Sequence, residues 1–143
     1  YLAYTDNGRE YTGIDVFEWA NKVDELGAGE IVITSVDNEG TGEGYDKELV
    51  SKITDLVSIP VIAHGGAGSY KHCFDVLDSC DIDGIAIASL LHYSCYKKFA
   101  ARKANSEGNT HFVTSGKSFH QFQGSDIKEL KTYLSSRNIA VRL

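Results

Sequence analysis

Two glycine clusters and one serine carry the chemistry that this chain can do. Gly40, Gly42 and Gly44 lie in the run VDNEGTGEGYD at Val36–Asp46, and Gly65, Gly66 and Gly68 lie in the run GGAG after Val61–His64. Ser89 follows a third small, apolar run, Gly84–Ala88. A glycine corner leaves its backbone N–H groups uncovered, so an oxyanion can come close. A helix beginning just after such a corner adds partial positive charge. A serine hydroxyl supplies one more donor. The chemistry is therefore the holding of a phosphate group, with no arginine required. One glycine corner alone reads equally well as a tight turn; two corners plus Ser89 favour phosphate. Polar side chains flank the corners. Asp37 is expected to point toward the same mouth if Ile31, Ile33 and Ser35 alternate with it, although it can also cap its own loop. His64 stands beside Gly65, where an imidazole either bonds phosphate or packs.

These residues need elements to position them. Tyr1–Tyr4 reads as a strand, and Asp6–Asn7–Gly8 as a tight turn. Asp15 and Glu18 have capping-box spacing, with Ile14 and Trp19 fitting a hydrophobic staple. Val16, Phe17, Ala20, Val23 and Leu26 form the apolar stripe of a helix that Gly27 ends. Ile31–Val36 is apolar and β-branched, as in a strand buried on both faces. Asp46 caps a second helix, with Leu49, Val50, Ile53 and Val57 facing inward. Pro60–His64 is the next strand, and Ser69 caps a third helix with Cys73, Phe74, Val76, Leu77 and Cys80 inward. Ile85–Ala88 is a third strand, followed by a helix from about Leu91 to Ala104. A polar segment, Asn105–Gly124, precedes a last helix at Asp126–Ser136 capped by Ser125, and the chain closes on Ile139–Leu143. Strands separated by helices in this order are parallel. They belong to an α/β fold, either part of a closed (β/α) barrel with its ligands at the C-terminal strand ends or an open doubly wound sheet.

Composition narrows the partners. The chain has 143 residues, 42% of them hydrophobic, and a net charge of −6. That charge argues against non-specific nucleic-acid or anionic-membrane binding, and no apolar run approaches the ~20 residues that span a bilayer. Cys73, Cys80 and Cys95 have no zinc-type spacing and read as reduced thiols, in keeping with a cytoplasmic location. The histidines show no metal-ligand spacing either.

The motifs resemble those of one family. GAGEIVITSVDNEGTGEGYD at Gly27–Asp46 is similar to the sixth βα unit of the cyclase subunit of imidazole glycerol phosphate synthase, which usually reads T-S-[IV]-D-x-D-G-T-x-x-G-[YF]-D. VIAHGGAG at Val61–Gly68 resembles its I-A-S-G-G-A-G, and AIASLLHY at Ala86–Tyr93 its A-A-S-[VI]-F-H-[FY]. YTGID at Tyr11–Asp15 and IKELKTYLSSRNIAVRL at Ile127–Leu143 fit as well; only Asn105–Gly124 does not.

The resemblance implies that residues 1–143 form the C-terminal part of a single (β/α)8 TIM barrel of the ribulose-phosphate-binding type, from about strand five or six to strand eight, with an extra polar loop at 105–124. It implies a cytoplasmic lyase of histidine biosynthesis, active without cofactor or metal. Such an enzyme takes ammonia from a glutaminase subunit and forms imidazole glycerol phosphate and an aminoimidazole carboxamide ribonucleotide from a phosphorylated substrate. The implied substrate contacts are Thr34, Ser35, Asp37, Glu39, Gly40 and His64; the implied phosphate contacts are Gly65, Gly66, Ala88 and Ser89. Glu30 matches a residue of the charged gate at the ammonia entrance, or is simply a solvated strand end. The family's two catalytic aspartates have no counterpart between Tyr1 and Leu143 and are expected upstream. Departures occur at Asn38, where the family often has arginine, at Glu39, where it has aspartate, and at His64, where it has serine. With the extra loop, they suggest a paralogue that feeds ammonia to sugar amidation in surface polysaccharide synthesis. A non-catalytic half-barrel module that binds phosphate is the third reading.

Overall fold

The chain is described by a computed structural model over residues 1–99 and 126–142. Carboxylate and hydroxyl caps set its helix starts. Asp15 accepts from the amides of Phe17 and Glu18 and opens α1, Val16–Glu25. Asp46 accepts from Leu49 at 3.0 Å and opens α2, Lys47–Thr54. Ser69 accepts from His72 at 3.3 Å and opens α3, Tyr70–Ser79. Each cap satisfies amides that the helix itself leaves unpaired and stabilises its element by about 1 kcal/mol.

Two sheets are present among the described residues. β1 (Leu2–Thr5) and β2 (Glu10–Asp15) form an antiparallel hairpin. Its turn is the expected one: Asp6, Asn7 and Gly8 all have positive φ, and the Gly8 and Arg9 amides donate to the Thr5 carbonyl. β3 (Ile31–Thr34), β4 (Val61–His64) and β5 (Gly84–Ala86) form a parallel sheet in that order. Its register aligns Thr34, His64 and Ala86 in one row at the C-terminal strand ends. Three corners therefore open at the same level.

The core lies on one face of this sheet. Ile33, Val61, Ala63 and Ile85 pack against α2, α3 and their neighbours through Val50, Ile53, Cys73 and Val76. α4 (Ser89–Phe99) contributes Leu90, and α5 (Ile127–Ser135) contributes Leu130 and Leu134. The fold is thus α/β with a parallel sheet flanked by helices.

Several expectations are corrected. Glu10–Asp15 is a strand, although its polar residues and Gly13 (φ 75°) hid it; hairpin pairing with β1 overrides the weak local preference. β3 is not buried on both faces, since Val32 is 53% exposed on the side away from the helices. β3 and β5 end two residues earlier than expected, because the chain turns at once into its corners. Ile14 and Trp19 are both exposed rather than closed into a staple. α4 begins at Ser89, two residues before the expected start. The cap of α5 is Asp126, which accepts from the Lys128 amide at 2.9 Å, rather than Ser125. The expected end of the fourth helix and the segment 105–124 lie outside the described residues.

Candidate phosphate-binding site

The corner after β4 is built on glycine for steric reasons that the structure makes explicit. Gly65 and Gly66 have φ of 96° and 97°, a region that L side chains rarely adopt. A Cβ on Gly65 would lie 2.9 Å from the Ser35 carbonyl oxygen. A Cβ on Gly66 would overlap the Gly44 carbonyl, and one on Gly68 the Gly42 carbonyl. The two glycine runs therefore pack backbone against backbone. The Gly44 amide donates to the Gly66 carbonyl at 2.7 Å, and Asn38 Nδ2 donates to the Gly44 carbonyl at 2.8 Å. Thr41 Oγ1 closes the same loop onto the Asn38 carbonyl at 2.8 Å.

This packing shapes a cleft of about 290 Å³ including its mouth. Of the expected contacts it brings together Glu39, Gly40, His64, Gly65, Gly66, Ala88 and Ser89. Gly42, Ala67, Ala86 and Ile87 complete the lining. The amides of Gly66 and Ala67 donate to no acceptor among the described residues. The start of α4 lies at the cleft's edge, since Ser89 borders it, and α3 begins three residues after Ala67. Free amides and the N-terminus of α4 beside one small opening suit an oxyanion.

Thr34, Ser35 and Asp37 are not in this cleft. They line a neighbouring recess of about 890 Å³ including its open mouth, with Tyr1, Leu2, Tyr4 and Asp46. Asp37 was expected to alternate into the common mouth, but β3 ends at Thr34, and the Glu39 amide folds back onto the Ser35 carbonyl at 3.0 Å. The turn breaks the two-residue period, so Asp37 faces the other recess. Ser35 is buried, and its amide and carbonyl are both spent on backbone bonds, to His64 and from Glu39. The two spaces meet at one hydrogen bond, Thr34 Oγ1 to His64 Nδ1 at 3.0 Å. Either atom can be the donor, depending on the imidazole tautomer. Glu30 sits just before β3, exposed, at the opposite end of the sheet.

The floor is rigid. Tyr45 is buried and donates its hydroxyl to the Ala86 carbonyl at 3.3 Å. Burial, with Cys73 beside it, pushes the Tyr45 hydroxyl well above the usual phenol range. Burial likewise pushes the Cys73 thiol up to about 11, offset in part by its contact with Tyr45. Cys73 is therefore a packing residue and not a nucleophile.

Sequence reasoning missed Asn38, Tyr45 and His72 as builders of this site. His72 Nδ1 accepts from the Gly68 amide at 3.2 Å. The available signal was position: a histidine in the first turn of a helix can reach the amides of the corner before it.

The model of a family described as histidine biosynthesis protein matches residues 2–97. A protein of Pyrobaculum aerophilum described as imidazole glycerol phosphate synthase subunit HisF is 50% identical over 93 residues, 65% of this chain and 36% of the relative. Proteins of the same description from Pelodictyon phaeoclathratiforme and Saccharolobus solfataricus are each 38% identical over all 143 residues, covering 45% of the relative. The chain thus spans less than half the length of these relatives. With the family model across its first two thirds and relatives aligned along its whole length, the chain belongs to the histidine biosynthesis protein family.

Proposed function

We propose that this chain is the phosphate-holding C-terminal part of a (β/α)8 barrel, the cyclase subunit of imidazole glycerol phosphate synthase. In this reading residues 1–143 belong to one barrel domain, and β3, β4 and β5 are its sixth, seventh and eighth strands. The carrying observation is the level row Thr34–His64–Ala86, beyond which Gly65, Gly66, Ala88 and Ser89 border one cleft. One phosphate of the substrate sits there, on the amides of Gly66 and Ala67 and the hydroxyl of Ser89. Glu39 and Gly40 close over the adjacent part of the substrate, with His64 at the phosphate. Thr34, Ser35 and Asp37 border the larger recess, which takes the body of the molecule. Holding the phosphate fixes the reacting atoms against the proton carriers. Glu30, at the other end of the strands, gates ammonia delivered by a glutaminase subunit, in the cytoplasm.

Two measurements test this. Inorganic phosphate titrated into the labelled chain shifts the amide signals of Gly66, Ala67 and Ser89, and Ser89→Ala weakens binding by roughly tenfold. Phosphate that leaves those signals unmoved overturns the site. The gene that encodes this chain, expressed in a histidine auxotroph lacking the cyclase, restores growth. Soluble protein without growth overturns the histidine reading and favours the sugar-amidation one.

A further inference from the structure

We propose that His72 is a positioning residue for the phosphate corner, acting through Gly68 and Gly44 rather than by touching the ligand. This rests on the phosphate reading given above. The Gly68 amide is one of the donors that a G-G-A-G corner offers, yet it is not turned to the cleft, because it donates to His72 Nδ1 at 3.2 Å. An amide can only donate, so Nδ1 carries the lone pair and Nε2 the proton. The same imidazole lies against Gly44, at 3.8–3.9 Å from where a Cβ on that glycine would stand. Gly44 in turn donates to the Gly66 carbonyl at 2.7 Å and accepts from Asn38 at 2.8 Å. One ring therefore bonds one glycine corner, at Gly68, and stands beside the other, at Gly44.

The backbone that bears the ring is held. The His72 amide donates to Ser69 Oγ at 3.3 Å, so the α3 cap fixes the backbone that carries it. Gly65 through Ser69 are all buried. Without an acceptor at His72, the Gly68 N–H would be orphaned in a buried place, a costly state that a backbone rotation relieves. That rotation turns the neighbouring Ala67 and Gly66 amides away from the anion. His72 does not border the cleft, so it does not serve as a ligand.

The test compares three forms of the chain for inorganic phosphate affinity, with amide spectra of the free proteins. His72→Phe keeps the ring and removes the acceptor; binding weakens roughly tenfold, and the Gly66 and Ala67 signals move before any phosphate is added. His72→Asn places Oδ1 where Nδ1 stood and restores affinity to within about twofold of the original. Equal affinity of the Phe variant and the original, or equal weakness of the Phe and Asn variants, overturns the inference. If the Phe variant does not fold, His72→Gln takes its place. Its acceptor reaches one bond too far, so it binds more weakly than the Asn form, and equal binding sinks the inference. An unmodified chain that ignores phosphate removes the site reading and this inference together, whereas normal binding indifferent to position 72 removes this inference alone.

Discussion

At the scale of single residues, the glycines of this chain do different jobs that a motif does not distinguish. Gly40 has φ 76° with nothing within 4 Å of an added Cβ, so only its backbone conformation demands glycine. Gly66 has φ 97° and in addition gives way to the Gly44 carbonyl. Gly40→Ala is expected to cost about 1 kcal/mol. Gly66→Ala must push two backbone corners apart and costs more than ~3 kcal/mol, with loss of phosphate binding. Urea unfolding of both variants checks the contrast; equal losses would show that the corners are not in contact. Much of this was legible. The glycine corners and Ser89 were found from their types and spacing. Asp37 was misplaced because strand alternation was carried three residues past Thr34, into a turn that ends it. His72 was passed over because it was weighed only as a metal ligand, and a histidine that accepts a backbone amide has no spacing signature.

At the scale of elements, caps were the most legible feature, since Asp15, Asp46 and Ser69 act where a short polar side chain precedes an apolar period. β2 was not legible, because its pairing with β1 is a tertiary fact and EYTGID lacks a clean period. The packing of α3 under the cleft was legible as an apolar stripe, but its chemistry was not. Cys73 on α3 meets Tyr45 from the glycine loop, and burial raises both acids. A raised pKa means that the folded state holds its proton more tightly than the unfolded chain does. Stability from this pair is therefore complete below about 9, the thiol's ordinary value, and is lost as pH rises through about 11. The unfolding free energy from urea titrations should be level up to pH 8 and fall steeply between pH 9 and 11, by on the order of 2 kcal/mol from the thiol alone. Cys73→Ala, though less stable at pH 8, should show a shallower alkaline fall. A slope unchanged by the substitution would place the alkaline loss elsewhere.

At the scale of the whole molecule, the described sheet is covered on one face only. Ala63 is fully buried under the helices, whereas Val32 on the opposite face is half exposed. β3 reads as apolar throughout, and the barrel proposed here would account for that by lining its interior with the second face of the strand. The sequence pattern therefore predicts two buried faces, while the described residues leave one of them open. A charge placed on each face measures the asymmetry. Val32→Asp puts a carboxylate into solvent and costs about 1 kcal/mol, mostly the poor strand preference of aspartate. Ala63→Asp puts the same group among Ile33, Ile85 and Val76 with no partner, and costs more than ~3 kcal/mol or prevents folding. Urea midpoints of the chain, with circular dichroism confirming that each variant folds, compare the two. A Val32→Asp loss as large as that of Ala63→Asp would mean that something covers the open face. Sedimentation of the unmodified chain would then show whether the cover is a second copy.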